Sequence, residues 1–328
     1  MYGGDGVKSV GIFLISKNNY EFLDKYWSKN FNYEGFHVLN IDEGSSDEQK
    51  AFGKEICQKY GITYLDREKP GLHNNVEMAC KHFRDVGIHY LTWWQHDCWP
   101  LDSEFMNNLD KLIDAGKLKD FGTFGFNGLA TDVTHNYKRD MKKINNGKKP
   151  LGILGRGHLC DRSWYVGSSG DTKIPAIPNL PEFHQPFAIE SVAWFAIGLN
   201  IDMFFKHIKV NSGYGFHLAW DDICFQFLNK NIYNVAIPDF YILHRPDLKP
   251  ALGIPKNSAK YTRDKKNDFF FEQADQHEVW KESWGWEWPN KKSFRAVKEK
   301  YKNTLISDFF HHDINRGPLK SFGDIIND

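Results

Sequence analysis

Four polar clusters in this 328-residue chain combine side chains able to hold a phosphate-bearing ligand or to move a proton. The first is Asp42-Glu43-Gly44-Ser45-Ser46-Asp47, between an apolar run and a helical pattern. An acid at a strand tip accepts from ribose hydroxyls or from the imide N–H of a uracil, and Gly44 permits a tight turn. Ser and Asp before a helix also serve as plain caps. The second is Trp94-Gln95-His96-Asp97. A departing nucleotide diphosphate needs its charge neutralised, and a divalent cation held by carboxylate does this. Asp97 is the natural ligand, with Gln95 and His96 beside it. The third, Ala219-Trp220-Asp221-Asp222-Ile223, opens a helical pattern. The helix dipole favours both acids there, and one of them can act as general base toward an attacking hydroxyl. The fourth is His244, at the end of the apolar run closing in Ile242-Leu243-His244.

The elements that must position these groups follow from the hydrophobic pattern. Val10–Ile15, Phe36–Ile41, Gly61–Leu65 and His89–Trp94 read as strands. Between them, helical spacing runs over Tyr20–Phe31, Glu48–Tyr60 and Asn74–Val86. Strand–helix alternation at this spacing argues for βαβ units and a mostly parallel sheet. Ligands of such sheets bind beyond the carboxyl ends of the strands, which selects Ser16–Asn18, Asp42–Ser46 and Gln95–Asp97. Residues 131–186 are rich in Gly, Lys, Asn and Pro and read as a long insertion. Its stretch Lys138–Arg162 carries eight Lys or Arg against two Asp. The apolar pattern then resumes at Phe187–Ile197, with helices near Ile201–Ile208 and Asp221–Asn229 and a last strand at Asn234–Leu243. The tail is charged and helical, with Trp280, Trp284, Trp286 and Trp288, and packing is the ordinary use of such a cluster.

Composition bounds the class. Basic and acidic residues balance at 42 each, which excludes a uniformly basic nucleic-acid coat, and 41% hydrophobic content excludes a disordered chain. Five cysteines without C-x-x-C spacing read as reduced thiols, and no basic-then-apolar leader pattern opens the chain. No apolar run approaches a membrane span. The expectation is a soluble, cytoplasmic protein.

The order of the clusters carries a resemblance. His37–Gln49 (HVLNIDEGSSDEQ) resembles the D-D-G-S-x-D signature of glycosyltransferase family 2, in the GT-A fold. Phe13–Leu23 looks like the family's opening strand and P-T-Y-N segment, with Ser16 and Asn18 in place and Ile15 where proline is usual. His89–Leu101 resembles the strand bearing the D-x-D metal motif, Pro100 included. Gly71–Asn75 matches the G-x-A-R-N helix start more loosely, without the Arg. The acceptor-side pattern ends in Asp221-Asp222, Asp221 standing for the usual Glu, and Ala236–Pro246 resembles the segment whose His completes the metal site.

The resemblance implies an α/β GT-A domain over residues 1–250, Rossmann-like with a mostly parallel sheet flanked by helices. Its nucleotide-sugar half is 8–130, the basic insertion 131–186 and the catalytic half 187–250, and a helical, Trp-containing extension covers 251–328. It implies transfer, with inversion, of a hexosyl or pentosyl group from a nucleotide-diphospho sugar, uridine-linked, to an acceptor hydroxyl. Asp222 takes the base position, with Asp221 beside it. Ser16, Asn18, Asp42, Glu43, Asn75, Gln95 and His96 belong to the nucleotide-sugar site. Asp97 and His244 belong to a Mn²⁺ or Mg²⁺ site, from which Gln95 removes the first acid of D-x-D. The acceptor is a glycan or, through the basic insertion, a nucleic acid such as DNA bearing a hydroxylated base. Two rival readings are a nucleotidyltransferase, which would carry a Gly-rich basic segment after the first strand, and a non-catalytic sugar- or nucleic-acid-binding protein.

Overall fold

The computed structural model describes residues 8–130, 141–148, 153–156, 166–167, 186–189, 191–192, 195–215, 218–245, 247–248 and 276–285. Most of the insertion and most of the C-terminal extension lie outside the described residues. The first half runs β1 (Val10–Ser16), α1 (Tyr20–Phe22, a π-helical turn at Leu23–Trp27, then Ser28–Asn30), β2 (Val38–Asp42), α2 (Asp47–Lys59), β3 (Thr63–Asp66), α3 (Leu72–Asp85) and β4 (Tyr90–Trp94). It continues with β5 (Cys98–Pro100), α4 (Phe105–Asp114) and β6 (Phe121–Ala130). Short strands β7 (Ile153–Arg156) and β8 (Val166–Gly167) follow, then β9 (Phe187–Ile189), β10 (Ser191–Val192) and β11 (Ala196–Asn200). The chain closes with α5 (Ile201–His207), α6 (Ala219–Asn229), β12 (Tyr233–His244) and α7 (Gln276–Trp284).

These strands form one sheet with the path β10-β7-β6-β11-β4-β1-β2-β3, and β12 pairs with β5, β6 and β9. β3, β2, β1 and β4 run parallel, as the alternating pattern predicts, while β11 lies antiparallel between β4 and β6. The parallel strands are covered on both faces. Val10, Ile12 and Leu14 of β1 face one core with α1, α2 and α4, whereas Phe13 faces a second core with α3, α5 and α6. Burial on both faces explains why these strands read as unbroken apolar runs. It also decides the tryptophans. Trp93 packs on Trp220 in the second core, and Trp94 is enclosed by Phe31, Phe105 and Phe126 in the first.

Two features depart from the sequence pattern. The insertion is not wholly loop: β7 and β8 extend the sheet beyond β6, and residues 141–145 form a turn of helix. β12 also loses register against β6 between Ile237 and Tyr241. Pro238 has no N–H for a ladder and marks the bulge, and Asn127 donates its side-chain amide to the Pro238 carbonyl at 2.9 Å. The bulge lets the far end of β12 reach β5, pairing His244 with Cys98.

Candidate active site

β1, β2 and β4 all end at one edge of the sheet, and each end carries a polar group. Ser16 closes β1, buried, and its hydroxyl donates to the Asn40 side-chain oxygen at 2.6 Å. The same Oγ lies 3.1 Å from His96 Nε2. With the hydroxyl proton committed to Asn40, the imidazole must be the donor, which puts its proton on Nε2 and leaves Nδ1 a bare acceptor. Nδ1 is buried with no partner among the described residues. Burial pushes the His96 pKa down to about 4, against a smaller opposing pull from Asp97, so the ring is neutral at pH 7.

Asp42 closes β2 and organises the following turn. One carboxylate oxygen accepts from the Gly44 and Ser45 N–H groups at 2.9 and 2.7 Å, and the other from the Tyr20 hydroxyl at 2.6 Å. Tyr20 is pushed to a higher pKa by burial first and then by this acid, so it stays a donor. Gly44 has φ +78°, and a Cβ there would meet Arg67 Nη2 at 2.7 Å, so both backbone and space require glycine. Ser46 caps α2 by accepting from Gln49 N–H, as the sequence pattern suggests. Asn18, at φ +52°, donates its N–H to Ser45 Oγ and accepts from Ser46 N–H, both at 2.9 Å, which ties the β1 and β2 loops together.

Glu43 continues the line to α3. Its carboxylate takes Arg67 Nη1 at 2.5 Å, the Gly71 N–H at 3.1 Å and the Asn75 side-chain amide. The Asn75 amide oxygen is buried without a partner among the described residues. Gly71 turns into α3 at φ +102°, with the Tyr214 carbonyl 3.0 Å from where a Cβ would sit. One turn on, buried His73 accepts from the Asn211 N–H at Nδ1 (3.1 Å) and faces the Ala219 carbonyl from Nε2 (2.9 Å). Nε2 therefore holds the proton, and it lies 3.5 Å from Asp222 Oδ2. Burial holds the His73 pKa below its ordinary value although Asp222 and the Ala219 carbonyl pull upward, so this ring too is neutral.

Helix α6 begins after Leu218, whose φ of +61° is costly for a branched side chain and sets the direction of the two acids that follow. Neither acid is the N-cap. Both are buried: Asp221 accepts the Ser191 hydroxyl of β10, and Asp222 points the other way. Asp222 Oδ1 accepts the Trp284 indole N–H of α7 at 2.7 Å, and Oδ2 the Gln226 amide at 2.6 Å. Trp284 is set by stacking on Trp280 at 5.5 Å and by the edge of Phe225. Trp280 and Trp284 therefore pack, as the commoner use of such a cluster suggests, and Trp284 also touches Asp222, while Trp286 and Trp288 lie outside the described residues.

At the end of β4, Asp97 Oδ2 lies 3.2 Å from His244 Nε2, and the Asp97 carbonyl accepts the Arg245 N–H at 2.7 Å. Cys98 joins them, the ligand atoms of Asp97, Cys98 and His244 all lying within 4.8 Å of one another. Gln95 is held by its backbone N–H to the Phe195 carbonyl at 3.3 Å. An acid and an imidazole at this spacing have the donor chemistry of a divalent-cation site. Residues that sequence reasoning left aside are Tyr20, Asn40, Arg67, His73, Cys98, Ser191 and Trp284. Tyr20, Asn40, His73 and Cys98 stand inside quoted motifs but have no role there, Trp284 was read only as packing, and Arg67 and Ser191 lie outside the quoted motifs.

No protein-family model and no curated protein matches the chain. Among solved structures it is similar to GalNAc-T7 with UDP, GalNAc and Mn²⁺ (TM-score 0.49, 11% identity), covering 93% of this chain and 56% of that one. It thus spans little more than half of that protein's chain. It is also similar to the mannosyltransferase PcManGT from Pyrobaculum calidifontis in complex with GDP-Man and Mn²⁺, at TM-score 0.43 and 12% identity over 90% of this chain and 76% of that one. A third is S. aureus TarS 1-349, at TM-score 0.39 and 12% identity over 84% and 74%. In its own topology the chain has a parallel β3-β2-β1-β4 core flanked by helices, with acids at the carboxyl ends of its strands. The fold is the α/β arrangement that the sequence predicts, a sheet with a parallel core flanked by helices. Among the described residues no helix is long and apolar enough to cross a membrane.

Proposed function

We propose that this protein is an inverting glycosyltransferase that moves a sugar from a nucleoside-diphosphate sugar, uridine-linked by the motif resemblance, to an acceptor hydroxyl. The reading rests on one observation: a row of polar groups, hydrogen-bonded within each segment and linked by chain adjacency at His96–Asp97, Asp42–Glu43 and Gly71–His73, leads from the cation-type pair to Asp222. It starts at Asp97 and His244, with His96 next to Asp97 in sequence, and passes through Ser16, Asn40 and the Asp42–Glu43 turn. From there it reaches Asn75 and Gly71, then His73 and Asp222. Asp42 and Glu43 shape the nucleotide end through the bonds described above. The buried acceptors His96 Nδ1 and Asn75 Oδ1 are suited to the N–H or hydroxyl groups of a nucleoside.

Asp97 and His244 would hold a divalent cation, which supplies the positive charge a departing diphosphate requires. Asp222 acts as the base. An ionised carboxylate offers about four lone-pair sites, and Trp284, Gln226 and the more distant His73 account for three. The remaining one takes the acceptor's proton as its oxygen forms a bond to the anomeric carbon. The bond from that carbon to the diphosphate breaks in the same displacement, and the configuration inverts. Asp221, held by Ser191, stands beside the base without sharing its partners.

The test is release of nucleoside diphosphate from a panel of UDP-, GDP-, CDP- and dTDP-sugars, with Mn²⁺, Mg²⁺ or chelator. It is run with glycan and duplex-DNA acceptors, on wild type, Asp97→Ala and Asp222→Asn. Donor-specific release lost in both variants supports the reading. Absence of release from every donor, with melting unmoved by every nucleotide, would instead leave a binding protein. Release undiminished in Asp222→Asn removes that residue as base.

A further inference from the structure

The antiparallel pairing of β5 with β12 sets Cys98 directly across from His244, and Asp97 immediately precedes Cys98. This brings a sulfur into a place where a carboxylate and an imidazole already meet. Asp97 Oδ2 is 3.2 Å from His244 Nε2, and Asp97 Oδ1 is 3.8 Å from Cys98 Sγ. A tetrahedral zinc ion with ordinary bond lengths separates oxygen from nitrogen by about 3.4 Å and sulfur from oxygen by about 3.6 Å. These two spacings run to different oxygens of the Asp97 carboxylate; the three donor atoms lie within 4.8 Å of one another, so side-chain shifts of about an ångström would bring them onto one ion. Asp97 and Cys98 are buried and His244 nearly so, which limits competing water. Meanwhile Gln95, at the first position of the metal motif, has no carboxylate to offer a hard cation.

Resting on the transferase reading above, we propose that the cation is held by a mixed Asp97–Cys98–His244 set. The thiolate of Cys98 makes the site select Zn²⁺ or Co²⁺ over Mg²⁺ and Mn²⁺. Thiolate is a soft donor that favours zinc-like ions, while magnesium and manganese prefer oxygen. On binding, the Cys98 thiol gives its proton to solvent and the sulfur lone pair forms the metal bond. No oxidant or reductant is involved. Three protein ligands leave a fourth position open, as in catalytic rather than closed structural sites, and a diphosphate oxygen is the ligand suited to it.

The experiment measures metal binding by the full chain without donor or turnover. Equilibrium dialysis against Zn²⁺, Co²⁺, Mn²⁺ and Mg²⁺ is expected to give one Zn²⁺ or Co²⁺ per chain, held at least tenfold more tightly than Mn²⁺. The cobalt form should show a thiolate-to-cobalt charge-transfer band with tetrahedral visible bands. That band should vanish in Cys98→Ser and persist in Cys57→Ser. X-ray absorption at the zinc edge of wild type, which needs no substitution, should show one sulfur in the first shell. A shell of oxygen and nitrogen only, or Mn²⁺ bound more tightly than Zn²⁺, overturns the proposal. Either result could coexist with full sugar transfer, so this failure is distinguishable from failure of the transferase reading.

Discussion

The two ends of the polar line are built differently. At the nucleotide end, Ser16, Asn40, Asp42 and Asn18 come from neighbouring parallel strands and their first loops, and they bond mostly to one another across one or two strand spacings. At the acceptor end, Asp222 is held by residues from α3, α6 and α7, with 62 residues separating it from Trp284. The first end is assembled by local strand geometry. The second is part of the packing between helices, so its chemistry and its stability are coupled. An acid can thus answer mainly to its own strand end in one place and act as a structural joint in the other.

The largest expected effect tests that contrast directly. Asp97→Ala and Asp222→Asn should each lower turnover by about a hundredfold to ten-thousandfold, the range for a lost ligand or base. Only Asp222→Asn should also lower the melting temperature clearly, because it weakens bonds with Trp284 and Gln226. Equal melting temperatures for the two variants would break the comparison.

Next comes His73→Ala, which leaves the Asn211 N–H and the Ala219 carbonyl without their buried partner. The expected cost is about 1–3 kcal/mol of stability, read by urea unfolding, with nucleotide binding by the intact fraction unchanged. A neutral substitution would show that α3 and α6 are held together by apolar contact alone. Trp284→Phe keeps the stacking on Trp280 but removes one hydrogen bond to a carboxylate. We expect about a tenfold fall in kcat with KM for the donor little changed. An unaltered kcat would reduce Trp284 to packing.

The smallest effect lies outside both ends. His37 and His82 meet at 2.9 Å between their Nε2 atoms. Burial lowers both pKa values; His37 is lowered further by His82, and Asp85 partly opposes the shift at His82. Because the unfolded chain binds these protons more readily, stability is full above the unfolded value near 6.5 and declines as pH falls below it. His82→Gln should flatten the dependence of melting temperature on pH between about 7 and 5. A slope as steep as that of wild type would assign the acid sensitivity elsewhere.

How much of this was legible follows from range. The parallel strands could be read because residues such as Ile12, Phe13 and Leu14 are buried on both faces, which produces an unbroken apolar run. The turns after them could be read because Gly44 and Ser46 answer local backbone demands of φ and capping. The strand-end acids followed from the same local geometry. The places of Trp93 and Trp94 could not be read, because a strand buried on both faces gives no alternation from which to tell core from cleft. The partners of Asp222 and the approach of Cys98 to His244 were not legible, since they depend on helix packing and on the register of β12 past its Pro238 bulge. Local sequence thus determined the elements and the residue types at their ends. The tertiary structure alone decided which distant side chains meet, because only packing converts separations of tens to hundreds of residues into contacts of a few ångströms.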